Sequence, residues 1–283
     1  MAPGLMGTVR AMRSLKVIEQ WPVDNAAAAV VRADGTLLGS HGPVDRVFEL
    51  ASVTKPLVAY ATLVAVEEGA VEWDLPAGPR GATVRHLIAH TSGLDFDGTN
   101  VVAAPGSRRI YSNGGFAALA AAVQQATDIP FPRYLHDAVF APLGMTASKL
   151  VGPAGSGAVS TVNDLVRFAA EVQAPTLIDP ATLAEATTVA YPGLDGVLPG
   201  FGTLRPNDWG LGFELRGHKS PHWTGANSSP RTFGHFGGSG TFLWVDPVAG
   251  LACVALTDRP FDDWAVQVWP PFTDGVLAEA LGG

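Results

Sequence analysis

The stretch Phe48-Glu-Leu-Ala-Ser52-Val-Thr-Lys55-Pro-Leu57 decides how the chain is read. The spacing predicts a short extended segment that enters a helix running from about Val53 to Glu68. Ser52 offers N-cap chemistry, Pro56 sits in the first turn and Gly69 ends the helix. Leu57, Tyr60, Ala61 and Val64 recur at helical spacing and are expected to face a core. At a helix start, residues three apart share a face, which brings the Lys55 ammonium within reach of the Ser52 hydroxyl. A serine is a weak nucleophile until a base removes its proton. A lysine does that only where burial or a neighbouring cation keeps it partly neutral. Ser-x-x-Lys occurs once in the chain. Alone, it reads equally well as a cap beside a solvated lysine.

Upstream, Ala26–Val31, the turn Asp34-Gly35 and Thr36–Leu38 read as a hairpin. From residues 75 to 160, short helical patterns (84–90, 116–126, 131–140) alternate with Gly/Pro loops, and no strand stands out. Ser160-Thr161, with Asp164 three residues on, marks another helix start. Residues 175–232 are rich in Pro and Gly. They include the polar tract 218–230, read as a rim of a site or a long surface loop. Strands are expected at 232–245 and 251–257, and a last helix at 274–281 after the Pro270-Pro271 break. Strands at both ends with helices between predict an α+β protein, an antiparallel sheet flanked by helices. Its body would comprise 1–74 and 161–283, with a mostly helical insert at 75–160.

The chain has 283 residues, 47% hydrophobic and 16% charged, with net charge −8. That composition excludes a disordered chain, and the absence of a basic run argues against a nucleic-acid partner. Cys253, alone in an apolar run, cannot form a disulfide within the chain and reads as a buried thiol. No signal-peptide pattern and no membrane span are read, which predicts a cytoplasmic protein.

Two further pieces carry chemistry. Tyr111-Ser-Asn113 lies on a loop entering a helix. A phenol there could relay a proton, partly as phenolate, and the amide could orient a substrate. Gly234-His-Phe-Gly-Gly-Ser-Gly240 precedes a strand. Its glycines let a substrate lie against the strand edge and leave an N–H free for an oxyanion. His235 would orient or protonate a leaving group. Each piece also has a bland reading: loop capping by Asn113, and a bulge with a satisfied histidine. Trp209, Trp223 and Phe236 are candidates for an acyl pocket or for ordinary packing. His86 and His90 lie four apart, but without His-Glu-x-x-His or a third ligand they suggest a helix-end role for His90 and not a metal. Gly-x-Ser-x-Gly, Gly-x-Gly-x-x-Gly and Walker patterns are absent, and no cofactor is expected.

Taken in order, Ser-x-x-Lys, Tyr-x-Asn and a basic residue followed by glycine on a late strand resemble the serine β-lactamase and penicillin-binding-protein family. The likeness is greatest to its class C-type branch, which includes esterases and D-amino-acid peptidases. It extends over Leu87–Leu94, Pro142–Met145, Ser160–Phe168 and Trp209–Phe213. The resemblance implies Ser52 as nucleophile, Lys55 as proton acceptor and Tyr111 as partner acid or base. It implies Asn113, with Phe236 and Gly237, as substrate-binding residues, and the N–H groups of Ser52 and Gly238 as oxyanion donors. His235 stands where many relatives have lysine. Losing that permanent cation favours ester or other acyl substrates over a β-lactam carboxylate. Two alternatives stay open: an acyl-ligand receptor that does not turn over, and a D-amino-acid peptidase. The oligomeric state is not legible.

Overall fold

A computed structural model describes residues 12–282. Residues 1–11, on which the signal-peptide reading partly rests, lie outside the described residues.

In chain order the elements are β1 (Ala26–Arg32), β2 (Leu37–His41), β3 (Phe48–Glu49), α1 (Thr54–Glu67), α2 (Val84–Ile88), α3 (Asn113–Thr127) and α4 (Phe131–Leu135). There follow β4 (Lys149–Leu150), β5 (Ala158–Ser160), α5 (Val162–Glu171) and α6 (Pro180–Ala186). The chain finishes with β6 (Gly196–Leu198), β7 (Gly202–Leu204), β8 (Glu214–Leu215), β9 (Phe233–Gly237), β10 (Thr241–Asp246), β11 (Leu251–Thr257) and α7 (Asp263–Ala280). The main sheet is antiparallel, in the order β2-β1-β11-β10-β9-β8.

The sheet is apolar on both faces because its central strands are buried along their whole length. Alternation sends Leu243, Val245, Ala252, Val254 and Leu256 towards α1 and α5. It sends Phe242, Trp244, Leu251, Cys253 and Ala255 towards α7. The chain is therefore a three-layer α+β protein, as expected. Helix α1 lies in the middle of it: every residue from Thr54 to Ala65 is buried, not one face only. A helix apolar all round is a core helix. Gly35 turns the first hairpin at φ +80°, where an L side chain is disfavoured.

Three expectations are corrected. Strands do occur between 75 and 160: β4 and β5 join β3 in a small sheet. They are two and three residues long, too short to show a period. The final helix does not start after Pro270-Pro271 but runs through both from Asp263. Burial of Trp264, Trp269, Phe272 and Val276 against the sheet outweighs the backbone bonds that proline removes. The tract 218–230 is not a surface loop throughout: Lys219, His222, Trp223, Thr224 and Ser228 are buried, while His218, Ser220, Pro221, Ala226, Asn227 and Pro230 are exposed. Among the described residues, no helix is long and apolar enough to cross a membrane.

Candidate active site

Ser52 occupies a tight 3-10 turn, Ala51–Val53, between β3 and α1. Ala51 is held at φ +44°, a conformation uncommon outside glycine. The turn is pinned from two sides. Leu50 O accepts from Thr241 Oγ1 at 2.8 Å, and Leu50 N–H donates to Ala158 O at 3.0 Å. Contrary to expectation, Ser52 does not cap the helix. Val53 is the N-cap residue and no side chain caps it. Starting the helix one residue later frees the Ser52 hydroxyl to meet two other groups.

One is Lys55, fully buried, with Nζ 3.2 Å from Ser52 Oγ. The amine also donates to Asn113 Oδ1 at 2.6 Å and Gly155 O at 2.8 Å. Burial depresses its pKa well below the ordinary lysine value, opposed in part by the Asp97 carboxylate. The contacts fit the neutral form: two N–H groups meet two acceptors, which leaves the lone pair for the Ser52 hydroxyl proton.

The other is Tyr111, whose hydroxyl donates to Ser52 Oγ at 2.6 Å. Burial raises its pKa above that of free tyrosine. It therefore stays a phenol, and the partial phenolate expected from the sequence has no support. Ser112, the N-cap of α3, accepts from Gly115 N–H at 2.9 Å. Capping thus falls to Ser112, and Asn113 opens the helix. The Asn113 amide is engaged at both ends, on Lys55 and, at 2.7 Å, on Asp97 Oδ1. In this structure it orients the lysine.

His90 brackets Tyr111 from behind. Its carbonyl accepts from Ile110 N–H at 2.9 Å and its Nδ1 from Ser112 N–H at 3.1 Å. Its ring packs on the Tyr111 ring with centroids 4.7 Å apart. His90 holds φ +57°, and burial keeps the imidazole neutral.

The third wall is β9. A Cβ at Gly237 would stand 2.3 Å from Leu50 O and 3.1 Å from Ser52 N, so only glycine lets the strand lie this close to the turn. Gly238 faces open space. His235 Nδ1 lies 2.6 Å from Phe236 O, which makes that nitrogen the proton donor. Burial, the largest cause, pushes its pKa down to about 3. Among the described residues no hydrogen bond links it to Ser52, Lys55 or Tyr111, and its Nε2 has no partner.

These elements enclose a cavity of about 140 Å³. Six residues selected from the sequence line it: Ser52, Tyr111, Trp209, His235, Phe236 and Gly238. Lys55, Asn113 and Gly237 stand behind the wall. Sequence reasoning missed Phe96, Leu198, Pro199, Phe261 and Glu214 in the lining, and Gly155 and Asp97 behind it. Gly155 and Asp97 sit on loops with no local signal for them. Glu214 is a buried carboxylate that binds Lys219, His222 Nε2 at 2.9 Å and Trp223 Nε1 at 3.0 Å. This cluster draws the 219–224 segment inward.

The Beta-lactamase family model matches residues 19–276. A solved β-lactamase structure from Mycobacterium bovis is 58% identical, covers 94% of this chain and 99% of its own, and superposes with a TM-score of 0.93. Simvastatin synthase from Aspergillus terreus shares the fold at 20% identity, with coverage of 95% and 94% and a TM-score of 0.80. A penicillin-binding protein of Bacillus subtilis (strain 168) is 27% identical over 190 residues, 56% of this chain and 41% of its own length. The chain spans about half the length of the curated relatives it matches. With the family matched over most of its length, the chain belongs to the Beta-lactamase family.

Proposed function

We propose that the protein cleaves ester or related acyl substrates through a covalent acyl-enzyme on Ser52. The observation that carries this reading is the position of Ser52 Oγ, 3.2 Å from Lys55 Nζ and 2.6 Å from Tyr111 Oη. Neutral Lys55 takes the hydroxyl proton as Oγ bonds to the substrate carbonyl carbon. The oxyanion rests on the N–H groups of Ser52 and Gly238. As the bond to the leaving group breaks, Tyr111 gives that group its proton and the Lys55 ammonium restores the phenol. Water then attacks the acyl carbon, its proton passes to the same base, and Ser52 regains its own. Asn113 and Gly155 fix the amine by accepting its N–H groups.

His235 supplies no cation at neutral pH, since its pKa is about 3. A substrate carboxylate beside the scissile bond therefore gains no charge pairing there, which favours neutral esters over β-lactams. The test pairs short-chain nitrophenyl esters with nitrocefin, followed by product release and intact mass. Sustained ester hydrolysis is expected, with Ser52→Ala reducing kcat by at least about 10³-fold. A stable one-to-one adduct without turnover would mean a covalent receptor. Activity retained in Ser52→Ala would overturn the assignment.

A further inference from the structure

A second, larger hollow of about 750 Å³ adjoins the cavity at Ser52. Phe96, Tyr111 and Pro199 line both. The strand β6 divides them by alternation: Leu198 faces the inner cavity and is buried, while Val197 faces the outer groove and is 57% exposed. The partition is anchored. Arg109 N–H donates to Asp195 O at 3.2 Å, and the buried guanidinium donates to Ala89, Ala190, Tyr191 and Asn207 carbonyls. Three large side chains on this groove, Phe96, Val102 and Val197, are about half exposed. Clustered exposed apolar side chains around a concave site mark a binding surface. Its edge carries exposed Arg108 and an exposed pair, Asp195 and Arg205, 3.6 Å apart, whose charges oppose each other.

Building on the acyl-transfer reading, we propose that the outer groove is the leaving-group subsite, shaped for a bulky, apolar, uncharged alcohol or amine, and that the inner cavity admits only a small acyl group. The direction follows from Tyr111. The acyl carbon must lie against Ser52 and Gly238, which line only the inner cavity. The departing atom must face the hydroxyl of Tyr111, a residue that lines both the cavity and the groove. A cavity near 150 Å³ accommodates a benzene ring, and drug-sized ligands occupy about 300 to 1,000 Å³. The two volumes therefore describe a lopsided substrate: about six carbons on the acyl side and several times that on the other.

The test uses two ester series. Butyrates of ethanol, 2-phenylethanol and 2-(2-naphthyl)ethanol keep the leaving oxygen chemically similar while its substituent grows. Ethyl esters from acetate to decanoate lengthen the acyl side instead. In the first series kcat/KM is expected to rise about tenfold or more through KM, one to two hydrophobic contacts' worth of selectivity. In the second it is expected to fall beyond about six carbons. Val197→Asp and Val102→Asp, both at exposed positions, should lower the naphthylethyl-to-ethyl preference about tenfold. A flat first series, a preference unmoved in both variants, or decanoate accepted as well as butyrate would overturn the subsite. A fluorophosphonate probe separates the two levels. Ser52 left unlabelled, with no ester cleaved, overturns the acyl-transfer reading itself; a labelled Ser52 with a flat preference overturns the subsite alone.

Discussion

Lys55 Nζ and Asn113 Oδ1 lie 2.6 Å apart, so the start of α1 and the first residue of α3 meet across the site. The amide carbonyl holds the amine without charging it. Asn113→Asp would place a carboxylate at that distance and raise the Lys55 pKa, because an opposite charge favours the ammonium. The base must be neutral to work, so the ascending limb of kcat/KM should move to higher pH. Activity at pH 7 should fall at least about tenfold and recover in part at pH 9 to 10, since each pKa unit is a factor of ten. A uniform loss at all pH values would contradict the role given to Asn113.

Tyr111→Phe removes the hydroxyl 2.6 Å from Ser52 Oγ. A loss of about 10² to 10⁴ in kcat is expected for a proton donor. Burial raises the phenol pKa and lowers that of His235 to about 3. Neither group should therefore titrate between pH 6 and 9. The ascending limb should persist in Tyr111→Phe and in His235→Gln, measured as kcat/KM against pH. A limb near pH 6 to 7 that vanished in His235→Gln would show a charged imidazole at work.

His90 acts on Tyr111 through the backbone on either side of it, and its own φ of +57° suits asparagine better than leucine. His90→Leu removes the acceptor of Ser112 N–H and strains the turn. A misplaced Tyr111 should reduce kcat about 10²-fold with KM little changed. His90→Asn, tolerant of that φ and able to accept, should lose less. Equal losses, or losses confined to KM, would count against a positioning role.

Glu214 is buried against Lys219 and His222, which hold its carboxyl at about 2, below the usual 4.5, despite the burial that opposes them. Its folded pKa is depressed, so its contribution is present above about pH 4.5 and is lost as pH falls towards 2. Urea unfolding should show stability declining over that window. Glu214→Ala leaves the buried Lys219 without a counter-charge and should cost about 3–5 kcal/mol. Replacing both, Glu214→Leu with Lys219→Met, should recover part of it, since His222 and Trp223 still lose their acceptor. A double variant as unstable as the single one would refute the ionic account.

Some of this was legible along the chain. The Ser52/Lys55 pair follows from helical geometry, since residues three apart align in the 3-10 turn that leads into the first turn of α1. Thr161 accepts from Asp164 N–H at 3.1 Å to begin α5, a bond spanning three residues. Strands β10 and β11 announced themselves by apolar runs between turn residues, and the Tyr111 and Gly237 motifs did converge on Ser52.

What the tertiary structure alone decided depends on partners far apart in sequence. Lys55 draws its acceptors from Asn113 and Gly155, 58 and 100 residues away, and its neutrality from burial that no local pattern records. The helix through Pro270 and Pro271 persists because of the sheet beneath it. Lys219, His222 and Trp223 of the 218–230 tract are buried because Glu214 supplies the charge and the acceptor they need. Hydrogen bonds within a turn are written in neighbouring residues; desolvation and long-range packing arise only when the layers close.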